Sequence, residues 1–286
     1  LYGKISKIVK ADGSSLHYSY DAAGNRVYKL YEKADGTQDK TWYVRDAQGN
    51  VLAVYGSKSG EEQIRLKEQH LYGSSRLGIL NVDKAVSDYS AGAYWLQKGN
   101  KRYELANHLG NVLATISDKV VDSVIGGSVD HYEAEIVSAQ DYYPFGMLQP
   151  DRQWSLGSYR YGFNGQEKSD EIKGEGNSYT AQFWEYDPRI GRSSNRDVRP
   201  KVWESPYASF INNPIFATDP LGDTTYRFGR DGKFVERTDL NAGGALGVIG
   251  GFEEFTDANN KKFKGWVTDR AFNSMICLLI GGSLII

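Results

Sequence analysis

Tyr20-Asp21-Ala22-Ala23-Gly24-Asn25-Arg26-Val27 is the stretch whose reading decides the fold. An aspartate at the first turn position accepts a hydrogen bond from the backbone two residues on and so starts a turn. Gly24 then takes the left-handed conformation that closes a hairpin, and Asn25 tolerates it too. Tyr18 and Tyr20 lead into the turn and residues 27–31 lead out, alternating as a half-buried strand does.

The unit recurs. Val44-Arg45-Asp46-Ala47-Gln48-Gly49-Asn50-Val51 is a second copy, and Leu105-Ala106-Asn107-His108-Leu109-Gly110-Asn111-Val112 a third. Asp12-Gly13 and Asp35-Gly36 are weaker turn units. A single hairpin is marginal in water, so repeated hairpins are expected to stack side by side into one sheet. Composition agrees: 20 Tyr and 32 Gly against 7 Pro favour pleated surface and tight turns over helix. The fold class expected is all-β dominated, a curved sheet of stacked β-hairpins with a mixed, loop-rich plug and a small C-terminal α+β segment.

Three regions follow from changes in character: a hairpin sheet over 1–141, a core over 142–222 and a further segment over 223–286. Residues 131–146 read as a strand ending at Pro144. Residues 168–176 are polar and read as an exposed loop, and one short helix is expected around 206–211. Asp219-Pro220-Leu221-Gly222 is a strong stop. The start at Leu1-Tyr2-Gly3 carries no targeting signal and reads as internal to a longer protein. The apolar run 275–286 reads as a buried strand or as a change of reading frame, and is half the length of a membrane span.

The motifs resemble a known family. The Tyr-Asp-x-x-Gly-Asn units are similar to the YD repeats of RHS (rearrangement hotspot) proteins. Tyr142-Tyr143-Pro144-Phe145-Gly146 and Tyr161-Gly162-Phe163-Asn164-Gly165-Gln166-Glu167 resemble the start of the RHS repeat-associated core domain. Tyr186-Asp187-Pro188-Arg189-Ile190-Gly191-Arg192 and the run from Asn212-Asn213-Pro214 to Asp219-Pro220-Leu221-Gly222 resemble its end. The resemblance implies a bacterial polymorphic toxin, in which a shell of YD hairpins closed by a core-domain plug holds a C-terminal toxin segment for interbacterial competition. It also implies a cognate immunity protein, a secretion apparatus and a secreted or cell-surface location. In many members the core cuts the chain after the Asp-Pro-x-Gly element with two aspartates and an arginine. The aspartates fall here on Asp197 and Asp219, which as a close pair could act as acid and base. Two positions depart from that pattern: Val198 follows Asp197 where proline is usual, and Trp184 stands where the arginine is usual. Without chemistry, both aspartates would serve as turn caps.

Other chemistry finds little support. A net charge of −2 gives no electrostatic reason for nucleic acid or an anionic membrane as partner. His17, His70, His108 and His131 lack metal-ligand spacing, and His108 reads as a turn residue. Cys277 is the one cysteine, so no internal disulfide or cysteine-based zinc cluster can form. The glycines of 243–251 lack the lysine of a phosphate loop. Adjacent Glu253 and Glu254 would face opposite sides of a strand. No cofactor or metal is expected, and enzymatic activity reduces to self-cleavage or to a truncated C-terminal toxin. An adhesion or glycan-binding module built from the same hairpins is the alternative, with tyrosine and tryptophan stripes as stacking faces; core filling explains those stripes more simply.

Overall fold

The computed structural model describes residues 3–239 apart from 62, 158, 202, 230 and 232, together with strand segments at 247–248, 251–256 and 262–267. The residues 257–261, Cys277 and the apolar run 275–286 lie outside the described residues.

Eleven antiparallel strands form one sheet in strict chain order. They are β1 (Lys7–Val9), β2 (Ser15–Tyr20), β3 (Arg26–Glu32), β4 (Gln38–Arg45), β5 (Val51–Lys58), β6 (Arg65–Tyr72), β7 (Arg76–Ala85), β8 (Lys101–Ala106), β9 (Val112–Ile125), β10 (Ser128–Tyr142) and β11 (Leu148–Ser155). The sheet is open, with β1 and β11 at its edges. β11 carries Pro150 and a left-handed Asp151 (φ 59°), two devices that discourage edge-to-edge pairing.

The repeat turns form as expected, with one refinement. Gly24 and Gly49 adopt φ of 83° and 91°. Asn25 and Asn50 do not share that conformation; they hold the aspartate. The Asn25 backbone and side-chain amides donate to the two oxygens of Asp21 at 2.8 and 3.0 Å, and Asn50 treats Asp46 alike at 2.8 and 2.9 Å. In the third copy Asn107 replaces the aspartate, and its Oδ1 still accepts the Leu109 and Asn111 backbone amides at 3.0 and 3.1 Å. The Asn111 side chain is thereby released, and its Oδ1 accepts the Asn164 backbone amide at 2.9 Å. Tyr143-Pro144-Phe145-Gly146 closes the β10–β11 turn with the same backbone pattern, Gly146 donating to the Tyr143 carbonyl.

Gly78 has a different reason to be glycine. A Cβ there would lie 1.9 Å from the Arg102 carbonyl oxygen on β8. Gly78→Ala is therefore expected to force β7 and β8 apart, at a cost of about 1–3 kcal/mol, read as a lower urea midpoint.

Residues 159–222 pack on one face of the sheet. They contain β12 (Glu167–Lys168), α2 (Asp170–Lys173), β13 (Tyr179–Thr180), β14 (Glu185–Asp187), β15 (Arg192–Ser193) and β16 (Ala217–Thr218). The core of this plug is aromatic: Phe163, Tyr179, Trp184, Tyr186 and Phe210 are buried together, with Tyr142 and Phe145 packed against them. On the other face, residues 86–100 make an excursion with the helix α1 (Ala91–Leu96). There Tyr89 and Tyr94 cover Ala53, Leu66, Leu80 and Val82.

Two local expectations are corrected. Residues 168–176 are only partly exposed: Ser169 is buried, and Glu171 on α2 holds Lys29 of β3. Lys168 likewise meets Gln140 of the sheet, whereas Asp170, Lys173 and Glu175 face solvent. The helix expected around 206–211 is a single turn, Phe210–Asn212, and all three residues are left-handed with φ of 58°, 54° and 53°. Past Gly222 the pairing continues: Tyr226–Phe228 (β17) pairs with β16 and with Phe234–Asp239 (β18).

Candidate functional site

Asp219 sits where β16 ends, in a turn that its own side chain organises. Its Oδ1 accepts the backbone amides of Gly222, Asp223 and Thr224 at 2.7, 3.1 and 3.4 Å. Gly222 is required, because it is left-handed (φ 84°) and a Cβ would meet the Trp184 ring at 2.7 Å. Asp197 lies between β15 and the Phe210 turn, its backbone amide donating to the Pro206 carbonyl at 2.7 Å. Its Oδ1 accepts the Arg199 amide at 2.7 Å.

The fold brings Asp197 and Asp219 to one small enclosed cavity of about 10 Å³, whose wall also includes Trp184, Lys201, Glu204 and Asp223. That is room for about one water. Burial pushes both carboxyls up from the ordinary aspartate range. Backbone amides oppose the rise, while Asp223 beside both, Asp197 beside Asp219, and Glu204 beside Asp197 add to it. Carboxylates gathered in an enclosed cavity disfavour one another's ionised forms.

Three charged residues of this cavity escape a reading of the sequence. Lys201 pairs with Glu204 at 3.4 Å, both nearly buried, and Arg199 pairs with Asp223 at 3.3 Å. Asp223 directly follows the Asp-Pro-Leu-Gly element, which is the one signal that could have drawn attention to it. Trp184, at the position where the RHS pattern has arginine, stacks on Tyr186 at 5.3 Å and donates from Nε1 to Gln166 Oε1 at 3.2 Å. Gln166 Nε2 in turn donates to the Asp219 carbonyl at 2.9 Å. The left-handed turn at Phe210 and Ile211 forms another part of the wall. Left-handed non-glycine residues store strain that the surrounding packing must hold in place.

The sign of the Asp219 shift gives a pH dependence. A carboxyl raised in the folded state favours folding below its unfolded value of 3.8, and that contribution is lost as pH rises through the folded value. Asp219→Asn keeps the acceptor for three amides and removes the buried charge. The uncleaved variant is expected to melt at a higher temperature than the parent at pH 8, and the two melting curves to converge at pH 3.

A second polar constellation lies in the seam between sheet and plug. Arg160 of the plug donates to Glu68 of β6 at 2.8 and 3.1 Å and to Glu167 at 3.0 Å. Tyr43 of β4 donates its hydroxyl to Glu167 at 2.8 Å. Burial would raise Glu68 and Glu167, but the Arg160 guanidinium overrides it and holds each at about 2. Arg26 of β3 pairs with Glu185 of β14, and Arg76 of β7 pairs with Glu104 at 2.8 Å. The Arg76 guanidinium also lies 3.4 Å from the centre of the Tyr161 ring. His70 is fully buried and meets the same ring edge-on at 5.4 Å.

The aromatic stripes divide between the two faces. Tyr18 and Tyr43 are buried under the plug. On the far face Trp42 and Tyr55 are half-buried and line an open groove of about 510 Å³. Among the described residues no group of three or more His, Cys, Asp or Glu side chains could hold a metal ion.

No family model matches the chain, and no curated protein matches it. Among solved structures, a crystal structure of TcdB2-TccC3-Cdc42 is similar with a TM-score of 0.52 at 17% identity. The match covers 73% of this chain and 9% of that chain. The likeness shows a shared fold, the one seen in a chain of which the present sequence spans a small part.

Proposed function

We propose that this chain is the plug-bearing, closing part of an RHS-type container, a structural carrier that holds and presents the segment following Gly222. The observation that carries this reading is the seam. The plug is fixed to one face of a repeat-built sheet by buried ion pairs, which suits a scaffold better than a hinged enzyme cleft. The YD-like turns, the ordered core motifs and the likeness in fold to a TcdB2-TccC3-Cdc42 chain support it. On this reading the carried segment is a toxin effector, and an immunity protein, a secretion apparatus and a secreted or cell-surface setting accompany it.

The reading extends to self-cleavage. Asp197 and Asp219 would share one proton: the ionised member takes a proton from a water in the cavity, and the protonated member gives one to the leaving amide nitrogen. The water oxygen bonds to the Gly222 carbonyl carbon and the Gly222–Asp223 C–N bond breaks, leaving a new carboxylate on Gly222 and a new amine on Asp223. The strained turn at 210–212 and the Gln166 bond to the Asp219 carbonyl would fix the chain for attack. The test is a denaturing gel of the expressed chain beside Asp219→Asn. Two bands from the parent and one from the variant are expected, and a single full-length band from the parent removes self-cleavage from the proposal.

A further inference from the structure

β9 and β10 outrun their neighbours. β8 stays in register with β9 only as far as Arg102 opposite Ser117, and β11 with β10 only as far as Ser138 opposite Ser155. Beyond these points, apart from the Leu156 amide donating to the Val137 carbonyl at 2.8 Å, the two strands pair with each other alone among the described residues, ending in the Gly126-Gly127 turn. Among the described residues the result is a two-stranded arm with a free backbone edge on each side. Free edges of this kind template the addition of another strand, and proteins ordinarily blunt them with proline or lysine. The β10 edge over 129–136 has neither, and between its two β-bulges, at 129/131 and 134/136, residues 131–134 run in regular register.

The side chains of the arm are ordered by its register. Val120 lies opposite Ala134, Asp122 opposite Tyr132 and Val124 opposite Val129. Directly opposed residues share a face. Val120, Asp122 and Val124 alternate along β9, as do Tyr132 and Ala134 along β10. A β-bulge between Val129 and His131 absorbs the odd spacing and leaves Val129 opposite Val124, so these six form one surface. It is largely apolar and open: Val120 and Val124 are each 59% exposed, Val129 46% and Tyr132 69%. The rest of the arm mixes the exposed apolar side chains of Val121, Ile125 and Ile136 with carboxylates. Asp130 and Glu133 are more than half exposed and each meets His131, at 2.9 and 3.2 Å, while Lys119 is engaged by Glu135 at 3.4 Å.

We infer that the β10 edge of this arm, residues 129–136, is a docking site for an extended, basic, amphipathic segment of another protein. The segment adds as a strand. Its backbone pairs with the free edge, its apolar side chains cover Val124, Val129 and Tyr132, and its lysines or arginines meet Asp130 and Glu133. This is strand addition with charge setting the choice of partner. A second copy of the chain is disfavoured as occupant, because its arm would bring carboxylates against carboxylates.

The test uses the full chain and a fluorescein-labelled nonapeptide of alternating valine and lysine. Fluorescence anisotropy measures binding, and hydrogen–deuterium exchange locates it. Saturable binding is expected, with slowed exchange confined to 129–136, weakened at least tenfold by Glu133→Lys and by Tyr132→Ser and retained in Glu133→Asp. The inference is overturned by absence of binding, or by equal binding of an alternating glycine–lysine peptide, which would mean charge alone. It is equally overturned by protection elsewhere in the chain. Arm protection that grows with protein concentration in the absence of peptide would identify a second copy as the occupant and overturn it too.

Discussion

Replacing Arg160 with alanine is expected to destabilise the chain by about 3–5 kcal/mol. The guanidinium is shared by Glu68 on the sheet and Glu167 on the plug. Removing it leaves two buried carboxylates facing each other, answered by Tyr43, His70, Lys29 and the more distant Arg26. An uncompensated buried charge is far more costly than the net worth of an intact pair. Both glutamates are held at about 2, so in the parent their contribution is present above the unfolded value of 4.5 and fades as pH falls toward 2. The variant's deficit should therefore be full at pH 7 and shrink on acidification through that window. Urea unfolding at pH 7 and at pH 3 reads both.

Phe163→Ala is expected to cost a comparable amount, about 3–5 kcal/mol, by a different route. Phe163 is 2% exposed and stands at the centre of the plug. Its ring stacks on Tyr186 at 6.2 Å and meets Phe210 edge-on at 5.7 Å. It also fills the space over Gly146, where a Cβ would come within 2.4 Å of the ring. Truncation opens a cavity bounded by rigid rings that cannot collapse into it. Because no charge is involved, this deficit should not vary with pH, which separates it from the Arg160 effect in the same urea experiment.

What could be read in advance was local. Asp21, Gly24 and Asn25 lie within five residues and define their turn by themselves, so the hairpins, their chain order and the sheet were legible. The plug's place on the sheet was not. Arg26 meets Glu185 across 159 positions and Arg160 meets Glu68 across 92, distances over which no periodicity carries information. The error over 168–176 has the same origin: Glu171 reads as a solvated charge until Lys29 is seen opposite it. At the candidate site Asp197 and Asp219 were named from the RHS resemblance, and the fold places both on one cavity wall. Lys201 and Glu204 were missed because they form an ordinary short-range charge pair until burial makes them part of that wall.

Plug and sheet form one unit through the charged seam. Hydrogen–deuterium exchange on the full chain, followed through increasing urea, tests it directly. The backbone amides of Val112, Gly162, Lys168 and Ser193 are predicted to lose protection in the same transition as those of β4–β7. Release of the plug amides at lower urea, with the sheet still protected, would contradict it.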